Sequence, residues 1–122
     1  MDTTTQLVGM LMNPVYPELF FIGLSVLVIV VELPLAMNRV KPNRLYGFRV
    51  HKTLSDERIW YLVNSYAGKR SVLTGIITIV FAVALRLRAM SPATYGAICV
   101  LLLVGGLVLT IVTTLIYMKP LS

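Results

Sequence analysis

The chain has 122 residues, of which 57% are apolar and 13% are charged, and its mean hydropathy is +0.84. Soluble domains are about 45–50% apolar and about 25% charged, so a soluble fold of this composition would have an aggregating surface. The composition also excludes a disordered chain, and the length excludes a multidomain protein. The net charge of +6 would indicate nucleic-acid binding in a soluble chain. Because basic residues also flank membrane spans, we predict instead a small integral membrane protein that does not bind nucleic acid directly.

Three apolar windows predict an all-α fold with three transmembrane helices. These windows lie at about 18–37, 71–88 and 93–118. The uncharged part of the second window is shorter than the roughly 20 residues that a span needs, so we expect residues 61–67 to lengthen it. The first window has no basic segment before it, and Glu32-Leu33-Pro34 stands where a cleavage site would be. It therefore predicts a retained span and not a signal peptide.

The distribution of basic residues predicts the orientation in the membrane. The loop between the first two spans, residues 38–70, carries eight of the eleven Lys and Arg residues. Arg86 and Arg88 lie at the second loop, and Lys119 follows the third span. With three spans, the long loop and the C-terminus share one side. The positive-inside rule predicts that this side is cytoplasmic and that the N-terminus is outside.

The second and third spans are predicted to pack together. Small residues at four-residue spacing allow two helices to approach closely in a membrane. Both spans have them: Thr74, Thr78 and Ala82 on the second, and Gly106, Thr110 and Thr114 on the third.

The long loop has two predicted parts. Pro42-Asn43 and Tyr46-Gly47 are turn signals, which predict an irregular basic loop over residues 41–52. Thr53-Leu54-Ser55-Asp56 is a capping-box pattern with Thr53 as the N-cap, so a short amphipathic helix should run from about Leu54 towards Gly68. Two interpretations stay open. The helix lies at the cytoplasmic interface with Trp60 at headgroup depth, or Trp60, Asn64 and the 43–49 segment form one assembled surface.

Eleven residues of the long loop form a sequence motif with fixed spacing: Pro42, Asn43, Tyr46, Gly47, Arg49, Thr53, Leu54, Trp60, Asn64, Gly68 and Lys69. This pattern resembles the signature of the SdpI family of small bacterial membrane proteins. The best-studied relative is an immunity protein that protects a cell from its own secreted, membrane-active peptide toxin and recruits a winged-helix repressor to the membrane. The resemblance implies the same partners here, in a bacterial cell membrane. That relative is longer and has additional spans, whereas this chain has a single family unit.

Carried over residue by residue, the resemblance gives a candidate surface for binding a partner or lipid: Pro42, Asn43, Tyr46, Gly47, Arg49, Thr53, Trp60, Asn64, Gly68 and Lys69. We expect Arg49 and Trp60 to contact a ligand, because Arg holds phosphate or carboxylate bidentately and Trp offers a large amphipathic face. Structural roles are the alternative for the others. Gly47 would supply a backbone angle, Thr53 a helix cap, and the two Asn residues hydrogen bonds to loop backbone.

Glu32 is the one acidic residue well inside a predicted span. An intramembrane carboxylate is costly and by default indicates a functional site. Glu32 is only about five residues from the basic loop, so pairing with Arg39 or another basic residue of the loop near the interface is the alternative.

The sequence predicts no enzyme, no cofactor and no metal site. It contains no nucleophile–base pair, no phosphate-binding glycine loop and no set of metal ligands. Cys99 is the single cysteine, so an intramolecular disulfide is impossible.

Three functions fit these observations. The first is an SdpI-like immunity and signalling protein. The second is an accessory subunit of a larger membrane complex, or of a homo-oligomer, whose basic loop holds anionic lipid or the acidic face of another subunit. The third is a small transporter that uses Glu32. It is the least favoured, because short multidrug transporters need about four spans and a carboxylate at the midplane.

Overall fold

The computed structural model describes residues 2–12, 15–88 and 90–121. Those residues contain five helices and no strand: α1 (Thr3–Met12), α2 (Val15–Ala36), α3 (His51–Ser55), α4 (Glu57–Arg86) and α5 (Pro92–Met118). Helices α2, α4 and α5 are long and apolar enough to cross a membrane. The predicted all-α fold with three membrane-spanning helices is confirmed.

Helix α1 lies before the first span, where we predicted no element. Asp2 begins it, and its carboxylate accepts the backbone N–H of Thr5 at 2.7 Å. The hydrogen bonds from Thr5 lower the pKa of Asp2, because they stabilise the charged carboxylate. Helix α1 packs against α2.

The predicted loop helix and the predicted second span are one continuous helix, α4, with 30 residues. At about 1.5 Å per residue it is about 45 Å long, whereas the hydrocarbon core of a bilayer is about 30 Å thick. About 15 Å of the helix therefore lies outside the hydrocarbon when α4 crosses the membrane. The segment that one of the two interpretations placed along the interface is the start of a spanning helix.

The predicted cap of this helix is wrong in position. Asp56 is the N-cap of α4, and its carboxylate accepts the backbone N–H groups of Arg58 at 2.9 Å and Ile59 at 3.4 Å. Thr53 belongs to the preceding short helix α3. Asp and Thr are both good N-caps. Because Thr53 lies inside α3, the first residue free to cap α4 is Asp56, which follows the end of α3.

Helix α4 is the centre of the bundle, and α2 packs closely along it. Gly68 meets the backbone of α2, since a Cβ built at Gly68 would lie 2.7 Å from the nitrogen of Ala36. A Cβ built at Gly75 would lie 2.8 Å from the Ile29 side chain and 3.0 Å from the carbonyl oxygen of Ser25. These two glycines allow the helix backbones to approach, as small residues do in membrane bundles.

Helix α5 packs on another side of α4, as the small-residue pattern predicted. Gly106 lies directly against Thr74, where an added Cβ would come within 2.5 Å of Cγ2. The remaining small residues of the pattern are buried as well: Thr78, Ala82, Thr110 and Thr114. The predicted packing of the second and third spans is confirmed.

Residues 38–56, which connect α2 to α4 and include α3, are called the 38–56 loop below. At the opposite end of the bundle, an ion pair joins α2 and α4. Arg86 of α4 donates to the carboxylate of Glu18 at the start of α2. Close by, the hydroxyl of Tyr95 donates to the carbonyl of Ala82 at 2.7 Å, and both residues are buried. The sequence pattern identified Arg86 only as a topology marker, and its partner is 68 positions away.

Adjacent glycines of α5 test the packing of α5 on α4. A Cβ at Gly106 would collide with Thr74, whose χ1 is stiff and whose hydroxyl donates to the Arg70 carbonyl at 3.0 Å. We expect Gly106→Ala to lower the free energy of unfolding in detergent by about 1–3 kcal/mol. At Gly105 a Cβ would meet nothing within 4 Å. Gly105→Ala should leave stability unchanged or raise it by up to about 1 kcal/mol. Equal losses in both variants would contradict this packing.

Candidate functional site

Asn43 shapes the loop between α2 and α3 through its side chain. Its Nδ2 donates to the carbonyl of Lys41 at 2.7 Å. Its Oδ1 accepts the N–H groups of Leu45 at 2.8 Å and Tyr46 at 3.0 Å. The Asn43 carbonyl in turn accepts Nε of Arg49 at 2.9 Å. Such local bonds are typical of Asn in turns, and they confirm the structural alternative for Asn43.

Asn64 attaches this loop to α4. Its side-chain Oδ1 accepts the backbone N–H of Phe48 at 2.5 Å, and Nδ2 donates to the Trp60 carbonyl at 3.0 Å and the Phe48 carbonyl at 3.5 Å. The residue is 2% exposed. Buried loop backbone must find hydrogen-bond partners, and here the amide of Asn64 supplies them. The structural alternative for Asn64 is confirmed as well.

Trp60 is fully buried, and the loop packs over its ring. Its Nε1 donates to the carbonyl of Val40 at 2.8 Å. Gly47 has a φ of +112°, and a Cβ there would lie 2.9 Å from the Trp60 ring and 3.0 Å from Oδ1 of Asn64. Gly47 is thus required both for its backbone angle and for the close approach. No part of the Trp60 ring is exposed, so the loop covers the face that we expected to contact a ligand. The depth of Trp60 relative to the headgroups stays a prediction.

Thr53 and Lys52 fix the second half of the loop. The buried hydroxyl of Thr53 is 2.8 Å from the Phe48 carbonyl and 3.0 Å from the Val50 carbonyl, and it accepts the Val50 N–H at 3.0 Å. The Lys52 ammonium donates to the carbonyl of Met118 at 2.7 Å and to that of Lys119 at 3.1 Å. A Lys commonly binds the free carbonyls at a helix C-terminus in this way. Helix α3 is therefore tied to the end of α5.

The other predicted site residues do not all join this cluster. Gly68 faces the backbone of α2, so its role is in helix packing. Pro42 is half-buried within the loop, and Lys69 is exposed on α4 beside Tyr66 and Tyr117. The structure brings together Asn43 with Arg49, and Gly47 with Trp60 and Asn64, but it leaves Lys69 apart from them.

Further contacts near this end of the bundle escaped the sequence analysis. The hydroxyl of Ser65 donates to the carbonyl of Ala36 at 3.0 Å. Tyr66 stacks on Tyr117 with ring centroids 4.1 Å apart, and the guanidinium of Arg70 lies 4.6 Å from the Tyr66 ring centre. The only sequence signal was that these aromatic and basic residues all lie at predicted span ends on one side of the membrane.

A groove of about 470 Å³ lies beside the anchored loop. Helix α4 lines it, α2 contributes Val31 and Glu32, and α5 contributes Leu107 and Ile111. The loop segment 46–50, which includes Arg49, also lines it. The volume is in the range of about 300–1,000 Å³ that is typical of small-molecule sites. The groove therefore combines an apolar wall with a few charged and polar groups.

Glu32 is half-buried in this groove. The alternative that it pairs with Arg39 is wrong, because within residues 2–12, 15–88 and 90–121 the carboxylate of Glu32 has no ion pair or hydrogen bond. Arg49 lines the same groove, and its contact in the described part of the chain is the bond from Nε to Asn43. No three potential metal ligands cluster among the described residues. The arrangement is suited to binding a ligand through charge and apolar contact.

The comparisons with known proteins agree with the loop signature. The model of the SdpI/YfhL protein family matches residues 39–118, from the start of the loop to the end of α5. The chain belongs to this family. The uncharacterized protein YfhL of Bacillus subtilis (strain 168) is 34% identical over 35 residues, which are 29% of this chain and 32% of YfhL. The match thus spans about a third of that relative. No solved structure matches the chain.

Replacing Asn64 should free the loop from α4. Asn64→Ala leaves the part-buried N–H of Phe48 without its partner, which costs about 1–3 kcal/mol in unfolding free energy. The Phe48 carbonyl keeps its hydrogen bond from the Thr53 hydroxyl. We expect faster trypsin cleavage within residues 39–52 in detergent micelles. Leu62→Ala, on an exposed position of the same helix, serves as control and should leave the cleavage rate unchanged. Equal cleavage of both variants would contradict the anchoring role of Asn64.

The burial of Trp60 can be measured directly because it is the single Trp in the chain. We expect its fluorescence in lipid nanodiscs to be shielded from the aqueous quencher acrylamide and from lipids brominated near the headgroup. Asn64→Ala should increase acrylamide quenching, since the loop over the ring loosens. Strong quenching of the unmodified protein by either agent would place the ring at the interface and contradict its burial.

Proposed function

We propose that this chain is a non-enzymatic SdpI-like protein of the bacterial membrane, which protects the cell against a membrane-active peptide toxin and recruits a cytosolic repressor. In this proposal the 38–56 loop and the C-terminus are cytoplasmic and the N-terminus is outside, as the positive-inside rule predicts. The family match over residues 39–118 supports the proposal, since it covers the whole anchored loop.

The observation that carries the signalling part is the way in which the loop is held. Orientation in the membrane requires only positive charge, and a flexible basic loop would supply it. Here the buried side chains of Thr53, Trp60 and Asn64 all bond to loop backbone and hold it in one conformation. Lys41 and Arg44 remain exposed on its surface. A fixed basic surface fits a partner with an acidic face, because the loop is already ordered before binding.

A protection assay tests the first part of the proposal. The chain is expressed in a bacterium that lacks immunity and is sensitive to the family's peptide toxin. We expect more survivors after toxin challenge than with an empty vector. Asn64→Ala should reduce protection and Leu62→Ala should not, at equal amounts of protein in the membrane. Survival equal to the empty vector, with normal membrane expression, would contradict the proposal.

Charge reversal separates recruitment from protection. Lys41→Glu with Arg44→Glu should abolish recruitment of the repressor to membranes from toxin-treated cells, because the basic surface loses its sign. Arg88→Glu is a charge-reversal control at one position, since Arg88 is exposed just after the end of α4, away from the loop. Unchanged recruitment by the loop variant would contradict the role of this surface. Purification in mild detergent as a stable assembly with other membrane chains would favour the accessory-subunit alternative.

A further inference from the structure

Two opposite charges line one groove without pairing. Glu32 has no partner in the described residues, and no ion pair joins it to Arg49. Arg49 uses Nε on the Asn43 carbonyl, and no contact within the described chain uses its two terminal nitrogens. Charged groups next to apolar surface are costly unless they are paired or hydrated. The groove therefore has unused capacity for one cationic and one anionic group of the same ligand.

The position of the groove narrows the class of ligand. Glu32 lies about one turn before the end of α2 at Ala36, at the level where a spanning helix meets the headgroup region. Val31 and Ile111 beside it are exposed apolar side chains, so in a membrane this side of the groove faces lipid acyl chains. A ligand that reaches the groove from the bilayer would carry its charges at the headgroup and its apolar part along α2 and α5.

We propose that the groove binds one phosphatidylethanolamine molecule. The carboxylate of Glu32 accepts hydrogen bonds from the lipid ammonium, and the terminal nitrogens of Arg49 donate to the phosphate. The upper part of an acyl chain lies along Val31, Leu107 and Ile111. Both headgroup contacts are charge-assisted hydrogen bonds, which are among the stronger polar contacts in proteins. This inference is independent of the proposed protective role.

Charge complementarity favours this lipid over an anionic one. A basic loop attracts phosphatidylglycerol through its net charge alone. Within the groove, however, Glu32 would repel a headgroup that carries only negative charge. Phosphatidylcholine keeps the positive charge but has no N–H to donate to the carboxylate. The groove should therefore prefer the ethanolamine headgroup to both of the other two.

Native mass spectrometry of the full chain measures this preference. The protein is released from nanodiscs that contain equal amounts of phosphatidylethanolamine, phosphatidylglycerol and phosphatidylcholine of the same acyl composition. We expect one retained ethanolamine lipid in preference to the others. Glu32→Gln should lower the ratio of ethanolamine to glycerol lipid by about tenfold, which corresponds to one charge-assisted hydrogen bond. Thermal unfolding should be unchanged, since Glu32 bonds to no other described residue.

Glu57→Gln is the matched control, because it makes the same charge change at an exposed position of α4 outside the groove. It should leave the lipid ratio at the wild-type value. Equal effects of the two variants, preferential retention of phosphatidylglycerol, or no retained lipid would each overturn the proposal. Retention of a cationic peptide or of a second copy of the chain in place of a lipid would also overturn it. If Glu32→Gln lowers expression, the headgroup preference of the unmodified protein remains a decisive measurement.

Discussion

The hydrogen bond from the backbone N–H of Phe48 to the buried side-chain amide of Asn64 is the interaction on which the 38–56 loop depends. The loop after α2 forms no regular structure that could pair its own backbone, so the N–H of Phe48 must bond elsewhere. Asn64 accepts it through Oδ1, and the bond that Nδ2 of Asn64 donates to the carbonyl of Trp60 fixes the orientation of the amide. The residues next to this bond are compatible with it. Gly47 leaves room for it, and Thr53 takes up the Phe48 carbonyl.

Because α4 is continuous, the loop and the membrane bundle share one rigid element. Trp60 and Asn64 hold the loop on its first turns, and Gly68 and Gly75 hold α2 farther along the same helix. Sliding α2 along α4 would force the Ala36 backbone away from Gly68 and strain the loop that begins just after it. The packing of α2 and the position of the loop are therefore both set by contacts with the same helix.

The sequence predicted the spans well, since a backbone in lipid must satisfy its own hydrogen bonds and long apolar windows do so only as helices. It also pointed to the loop residues, because Asn, Gly and Thr at those positions have recognisable turn and cap chemistry. It could not show the continuity of α4, as Lys69 and Arg70 look like a span boundary. Helical spacing puts Trp60 and Asn64 on one face, but it does not reveal that the chain folds back to cover them.

The bond from Lys52 to the carbonyls of Met118 and Lys119 also bears on biosynthesis. These two residues leave the ribosome after α2, α3 and α4. Before then, the loop can bond to α2 and α4, but α3 has no helix end to hold its lysine. The contact between α3 and the end of α5 can therefore form only after the third span has been synthesised.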